Sequence, residues 1–134
     1  MNKRLVILGL SILVMMSLAC GLLGGGSGGT GSGAAGGNSG YNTKFPLPGN
    51  VSNFTDTGNG SINFQTSMSL KDTIAFYRDA FGKQGLTERT INTSITDTTF
   101  SMVFDGDPSG QAVVIQGVDL GNGKTNVNIR YEKV

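Results

Sequence analysis

The acidic stretch DGDPSGQAVVIQ, residues 105–116, contains the side chains whose types and spacing come nearest to a metal site. Four of its residues match positions 1, 3, 5 and 6 of a calcium-binding loop, where oxygen ligands and then a glycine turn are needed: Asp105, Asp107, Ser109 and Gly110. Position 12 of such a loop is a bidentate glutamate, whereas here it is Gln116, and the flanks have strand patterns where helices are required. We therefore interpret the stretch as a polar hairpin turn and predict no metal and no cofactor.

Acidic side chains are also the only loosely grouped candidates for catalysis: Asp105, Asp107 and Asp119. Residues 41–134 contain no histidine and no cysteine, which excludes the Ser-His-Asp and Cys-His arrangements and the usual zinc sites. Acids are common at turns for purely structural reasons. The composition therefore predicts no catalytic residues and a domain that is not an enzyme, with a carboxylate-dependent enzyme as an alternative.

The single cysteine, Cys20, follows a segment with the three zones of a signal peptide. The segment starts with a basic pair, continues with an uncharged apolar run over residues 5–16, and ends in the small residues Ser17 and Ala19. An ordinary cut after Ala19 would leave a reactive, exposed thiol at the N-terminus of a secreted chain. Covalent attachment of a lipid would consume that thiol.

The sequence MSLAC, residues 16–20, resembles the lipobox of bacterial lipoproteins. Ala19 and Cys20 fit the pattern, and Ser17 stands where that family favours leucine. The resemblance implies cleavage between Ala19 and Cys20 and attachment of a diacylglyceryl group to the Cys20 sulfur. It therefore implies a lipid anchor in a bacterial cell envelope, with the folded domain on the extracytoplasmic side. Two acyl chains are enough for stable attachment to a membrane.

Two other interpretations of this segment remain open. Residues 5–23 are uncharged, and about 20 apolar residues span a bilayer, so an uncleaved membrane helix is one of them. Simple secretion after cleavage behind Ala19 is the other. The mass of the N-terminus distinguishes the three interpretations, because it shows an acylated Cys20, a retained segment 1–19 or an unmodified Cys20.

The next segment is rich in glycine and carries no charge, with eleven glycines in residues 21–40. Such a composition buries no apolar surface, so we predict a flexible tether over residues 20–40 with an r.m.s. reach of roughly 25 Å. Residues 41–134 are enough for one small domain. Their eight basic and nine acidic side chains provide no basic patch, so we predict no nucleic-acid partner.

The apolar periodicity of residues 41–134 predicts one helix among several strands. Apolar residues recur at helical spacing after the N-cap residue Ser69, which has Asp72 as its capping partner: Leu70, Ile74, Tyr77 and Phe81. Gly85 is the predicted helix end, with Leu86 folding back toward Phe81. Alternating or apolar patterns predict strands on either side of this helix, over residues 61–66, 87–95, 100–105, 111–118 and 125–131.

These elements predict an α+β domain in which a single helix packs on an antiparallel sheet of four to five strands, in the order β-α-β-β-β. The order and the sequence FYRDAFGKQGL, residues 76–86, look like small domains found in bacterial envelope proteins, a resemblance that supplies no activity. In the last strand, the residues predicted to face the core are Thr125, Val127, Ile129 and Tyr131. Those predicted to face solvent are Asn126, Asn128, Arg130 and Glu132.

The sequence thus predicts a lipid-anchored envelope protein whose small domain is a non-catalytic binding or assembly module near the membrane. Its expected partners are the membrane, through Cys20, and a protein. A carrier of a small apolar ligand held between helix and sheet is an alternative. One predicted contact surface is the outer sheet face bearing Asn126, Asn128 and Arg130. The other is the apolar opening segment that contains Tyr41, Phe45, Leu47, Val51 and Phe54.

Overall fold

The structure is a computed structural model in which residues 40–133 are described. The predicted signal peptide, residues 1–19, and the predicted lipidation site at Cys20 lie outside the described residues, as does nearly all of the predicted tether. In the described part of the chain, no helix is both long enough and apolar enough to cross a membrane.

One antiparallel sheet dominates the described residues and packs against one α-helix. The elements in chain order are β1 (Val51–Gly58), β2 (Ser61–Thr66), α1 (Leu70–Lys83), β3 (Thr87–Glu88), a 3₁₀ turn (Thr90–Asn92), β4 (Ser94–Ile95), β5 (Thr99–Asp105), β6 (Ala112–Asp119) and β7 (Thr125–Glu132). The strand order across the sheet is β1-β2-β7-β6-β5-β3, and β4 also pairs with β5. The last strand, β7, therefore lies inside the sheet between β2 and β6.

The predicted fold class is wrong. In place of a helix on four to five strands in β-α-β-β-β order, residues 40–133 form a sheet-dominated fold of seven strands, two before the helix and five after it. The sequence did not indicate β1 because its side chains are mostly exposed, which leaves no alternation of apolar and polar residues. β3 and β4 have two residues each, too few for a periodic signal, and the 3₁₀ turn separates them within the strand predicted over residues 87–95.

The ends of α1 are those predicted. Ser69 is the N-cap, and its hydroxyl oxygen accepts a hydrogen bond from the Asp72 backbone N–H at 3.1 Å. At the other end, Gly85 has a φ of 82°, in the left-handed region that glycine adopts without a steric penalty. The Leu86 N–H then donates to the Phe81 carbonyl oxygen at 3.0 Å, as in a Schellman motif. The predicted apolar stripe is buried: Leu70, Ile74, Tyr77 and Phe81.

The opening segment, residues 41–47, packs against the core formed by α1 and the inner face of the sheet, and we call it the strap. Its side chains Phe45 and Leu47 are only 4% and 1% exposed. The Tyr77 hydroxyl donates a hydrogen bond to the Pro46 carbonyl oxygen at 3.0 Å and so joins the strap to the helix. Phe45 and Leu47 are therefore not free to contact a partner, whereas Tyr41, Val51 and Phe54, which belong to the same predicted contact surface, are only partly buried.

The alternation predicted for β7 is confirmed. Its inner positions are buried at Thr125, Val127 and Ile129. Its outer positions are partly exposed at Asn126, Asn128 and Arg130. Tyr131 continues the inner row but is only partly buried. The inner row of β7 therefore ends in an aromatic residue that solvent reaches.

Candidate functional site

Asp119 lies apart in the fold from the other two acids singled out in the sequence, Asp105 and Asp107. Asp105 accepts hydrogen bonds from the Arg89 guanidinium, from Nε at 2.8 Å and also from Nη2, and these bonds lower the pKa of Asp105. Asp119 Oδ1 accepts from the Gly121 N–H at 2.8 Å. Because β5 and β6 are antiparallel, Asp119 at the end of β6 and Asp105 at the end of β5 lie at opposite ends of the strand pair. The fold therefore does not bring the three acids together in one site.

Residues 106–111 form the polar hairpin turn that we preferred to a calcium loop. Asp107 Oδ1 accepts from the Ser109 N–H at 2.9 Å, and the Asp107 carbonyl oxygen accepts from the Gly110 N–H at 2.9 Å. These hydrogen bonds join residues of the turn to one another, as is usual where aspartate and serine stabilise a turn. Across residues 40–133, no three histidine, cysteine, aspartate or glutamate side chains are placed to hold a metal ion.

A cleft around Tyr131 brings together side chains from segments that are far apart in the chain. A cavity of about 680 Å³ opens between the strap, the end of α1 and the β5–β6 turn. A second cavity of about 310 Å³ lies between the strap and the β1–β2 turn. Both are bounded by Lys44, Phe45 and Tyr131, so they adjoin at these residues. We call the two cavities together the Tyr131 cleft.

Close contacts fix the Tyr131 ring in this cleft. Its centroid lies 4.8 Å from that of the buried Phe45 ring, and the two planes are inclined at 38°. Gly60, in the β1–β2 turn, approaches the ring so closely that a Cβ there would lie 2.8 Å from Tyr131 Cδ2. The position of the ring therefore depends on a strap residue and on a turn that has space only for glycine.

The polar ends of Lys44 and Tyr131 have no hydrogen-bond or ion-pair partner in the part of the chain that the structure describes. Burial, and secondarily the negative charge of Asp107, raise the pKa of Tyr131 above its ordinary value. The phenol therefore stays protonated at neutral pH and is able both to donate and to accept a hydrogen bond. Ser109 and Gln111 add a hydroxyl and a carboxamide to the same wall.

A second concave region, between α1 and β4, has a different lining. It is an apolar groove of about 500 Å³ that includes Leu70, Ile74 and Ile95, the last of which is 46% exposed. Further along the helix, the Phe81 and Phe104 ring centroids lie 4.9 Å apart, so side chains occupy the space between α1 and the sheet there. The groove thus lies at the edge of the helix–sheet layer.

The outer face of the sheet, predicted as a contact surface, carries polar side chains that bond to one another. The Arg130 guanidinium donates to Glu132 at 2.7 Å and to Gln116 at 2.9 Å. Its third acceptor is Asn128 Oδ1 at 3.2 Å, and Asn128 Nδ2 donates to the Ile62 carbonyl oxygen at 3.1 Å. Much of the hydrogen-bonding capacity of these side chains is therefore used within the sheet.

Sequence reasoning did not identify the Tyr131 cleft. It assigned Tyr131 to the core and gave Lys44 no role, because nothing in the sequence places the strap beside the end of the last strand. One signal was present: Tyr131 is the final inward residue of its strand and has a polar tip, a type of side chain suited to the border between core and solvent.

Comparisons with protein-family models, with curated proteins and with solved structures gave no match to this chain.

Proposed function

We propose that this chain is a lipid-anchored protein of a bacterial cell envelope whose folded domain binds a ligand or a protein partner near the membrane without transforming it. The anchor follows from the lipobox-like sequence that ends at Cys20. Residues 20–40 serve as the tether between the lipid and the domain. Tethering raises the effective concentration of a binding site near its anchor and so compensates for weak contacts.

The single observation that supports a binding role is the Tyr131 cleft. Its two adjoining cavities, of about 680 Å³ and 310 Å³, fall within the size range of small-molecule sites. They contain an ammonium group at Lys44 and a phenol at Tyr131 that have no partner within residues 40–133. Unpaired polar groups at a cavity wall are available to a ligand.

Binding without catalysis agrees with the titration chemistry of the cleft. Residues 41–134 lack histidine and cysteine, which most often serve as base and nucleophile at neutral pH. The raised pKa of Tyr131 keeps its proton in place, so the phenol is a poor general base. The Tyr131 phenol therefore orients a bound molecule rather than exchanging a proton with it.

The place where the tether enters the domain also favours this role. The strap continues directly from the predicted tether, and its residues Asn42, Thr43, Lys44 and Phe45 line the smaller cavity. A ligand bound there would contact the first residues of the domain after the anchor. The site is consequently held within reach of the membrane.

The test is photo-crosslinking in intact cells with p-benzoylphenylalanine in place of Gln111, which lines the cleft. The matched control carries the same photoreactive residue in place of Asn122, an exposed position in the β6–β7 turn. We expect a discrete adduct from position 111 that is missing from position 122. The absence of any adduct at position 111, or turnover of a substrate by the purified chain, would overturn the binding role.

The anchor has its own test. Mass spectrometry of the envelope form should show a chain that begins at an acylated Cys20, and Cys20→Ala should accumulate as a precursor that retains residues 1–19. A wild-type chain that retains residues 1–19, or normal maturation of the variant, would contradict lipid anchoring. Neither outcome depends on what the cleft binds.

A further inference from the structure

We propose that the Tyr131 cleft binds a neutral pyranose sugar within a glycan chain. This inference rests on the proposed binding function and names the class of its ligand. Three features of the cleft support it: a fixed aromatic surface, charges of both signs, and two adjoining cavities.

The aromatic surface suits one side of a pyranose ring. A pyranose presents apolar C–H groups on its faces and hydroxyls around its rim. The face of an aromatic ring carries partial negative charge and attracts such C–H groups. The partly exposed Tyr131 ring can supply a surface of this kind, since it packs against the buried Phe45 ring at a centroid distance of 4.8 Å and the close approach of Gly60 fixes its orientation. A sugar therefore meets a surface that needs little reordering on binding.

The distribution of charge favours a neutral ligand. Lys44 borders both cavities, while Asp107 borders the larger one and Asp56 the smaller one. An anionic ligand attracted by Lys44 would be repelled by a carboxylate, and a cationic ligand attracted by the carboxylates would be repelled by Lys44, so neither gains the net attraction that would offset its desolvation. A hydroxyl accepts a hydrogen bond from Lys44 and donates one to Asp56 or Asp107 without a net charge to desolvate.

The remaining polar side chains of the larger cavity match a rim of hydroxyls. Gln84 and Gln111 each carry a donor and an acceptor, and Ser109 carries both in one group. Lys44, Phe45 and Tyr131 are shared by the two cavities. Two cavities that share one wall are arranged for successive units of one oligosaccharide, with the Tyr131 ring at the junction.

The experiment uses the full chain, purified in a detergent without a sugar headgroup, and isothermal titration calorimetry. The probes are three neutral trisaccharides: triacetylchitotriose, cellotriose and maltotriose. The charged comparison probes are the glucosamine trimer, a cation, and trigalacturonate, an anion. We expect saturable binding of at least one neutral trisaccharide and affinity for both charged probes that is weaker by about tenfold or more.

Variants locate the site. Tyr131→Phe retains the ring and its packing but removes the free hydroxyl, and it should weaken binding by about threefold to tenfold, the usual worth of one hydrogen bond. Tyr131→Ala should weaken binding further. The matched control is Tyr41→Phe, since Tyr41 packs against the Phe54 ring at 4.4 Å and lines neither cavity. Circular dichroism verifies that each variant is folded, and Tyr131→Phe keeps the test decisive if Tyr131→Ala does not fold.

Each outcome separates this inference from the proposed function. If none of the neutral trisaccharides binds while position 111 still gives an adduct in cells, the sugar inference is overturned and the binding function stands. Equal binding of charged and neutral probes would overturn the neutral class. If both Tyr131→Phe and Tyr131→Ala bind the trisaccharide as the wild type does, the sugar binds elsewhere on the protein and the inference is overturned. The absence of both an adduct and sugar binding would overturn the inference and the function together.

Discussion

Two consecutive residues of β7, Arg130 and Tyr131, lie on opposite faces of the sheet and differ in how their polar groups are satisfied. The Arg130 guanidinium has three side-chain acceptors on the outer face. The Tyr131 hydroxyl has no partner within residues 40–133. A paired group must give up existing bonds before it binds a ligand, whereas an unpaired group exchanges only water. Of these two neighbours, the side chain with unused hydrogen-bonding capacity is therefore Tyr131, on the inner side at the end of β7.

The same contrast separates Lys44 from Arg78, one of the two cations near the apolar groove. Arg78, at the rim of that groove, donates to Glu88 from Nε at 2.8 Å and from Nη2 at 3.0 Å. This ion pair links α1 to β3 and so contributes to the fold. Lys44 has no such pair among the described side chains, although it borders both cavities of the cleft. A lysine without an ion pair lies at each concave region, Lys44 at the cleft and Lys71 at the groove, so the group that distinguishes the cleft is the unpaired Tyr131 hydroxyl.

The largest loss of unfolding free energy is expected from truncation of Phe81, which lies behind the cleft. Phe81 is 1% exposed, packs against Tyr77 and Phe104, and lines the larger cavity. Phe81→Ala should lower the free energy of unfolding by about 3 to 5 kcal/mol, a large share of the stability of a small domain. Urea denaturation measures this loss. The control, Phe76→Ala on the same helix, removes a ring that is only partly buried and should cost clearly less. Equal losses would show that the buried Phe81 ring stabilises the fold no more than the partly buried Phe76 ring.

A smaller loss of unfolding free energy is expected from substitutions in the β1–β2 turn, where Gly60 contacts the Tyr131 ring. Gly60 and Gly58 both have positive φ angles, 72° and 78°, but only at Gly60 would a Cβ meet another side chain, Tyr131 Cδ2 at 2.8 Å. Gly58→Ala should lose about 1 to 2 kcal/mol of unfolding free energy from backbone strain alone. Gly60→Ala should lose more than that and should also weaken trisaccharide binding. If the two variants unfold at the same urea concentration, the contact does not fix the ring.

The stability of the fold should depend on pH through the ion pair between Arg78 and Glu88. The hydrogen bonds from Arg78, and to a lesser degree from Thr93, lower the pKa of Glu88, although partial burial opposes them. Because the folded pKa is below the unfolded one, the pair stabilises the fold above the unfolded pKa, and this contribution is lost as the pH falls through the folded pKa. Thermal melts from neutral to acidic pH should therefore show a steeper loss for the wild type than for Glu88→Gln. Identical pH profiles would show that the pair contributes no stability.

The parts of the fold that the sequence predicted correctly are those with strong local signals. The helix has a buried stripe at helical spacing, a serine N-cap and a glycine end, and each of these depends only on residues close together in the chain. The alternation in β7 is equally local. β1 escaped prediction because its side chains are mostly exposed, so its position depends on pairing with β2 rather than on its own pattern.

The cleft could not be predicted because its walls meet only after the chain has folded. Lys44 and Phe45 come from the strap, Gly60 from a turn, and Tyr131 from the last strand. Their contacts join residues more than 70 positions apart, and no local pattern encodes such a separation. The acids of the β5–β6 turn were identified correctly as a polar hairpin because Asp107, Ser109 and Gly110 bond within the turn itself.

The smallest loss of unfolding free energy is expected at Arg130, on the outer face of the sheet. Arg130→Ala removes a guanidinium from three acceptors, but the side chains involved lie on the outer face, where water replaces the lost donor. The free energy of unfolding should change by less than about 0.5 kcal/mol, the usual limit for such surface positions. Trisaccharide binding should be unchanged, because Arg130 does not line either cavity. A loss of stability comparable to that of Phe81→Ala would show that the network on the outer face supports the fold. A loss of binding with stability retained would place the binding surface on the outer face and overturn the comparison.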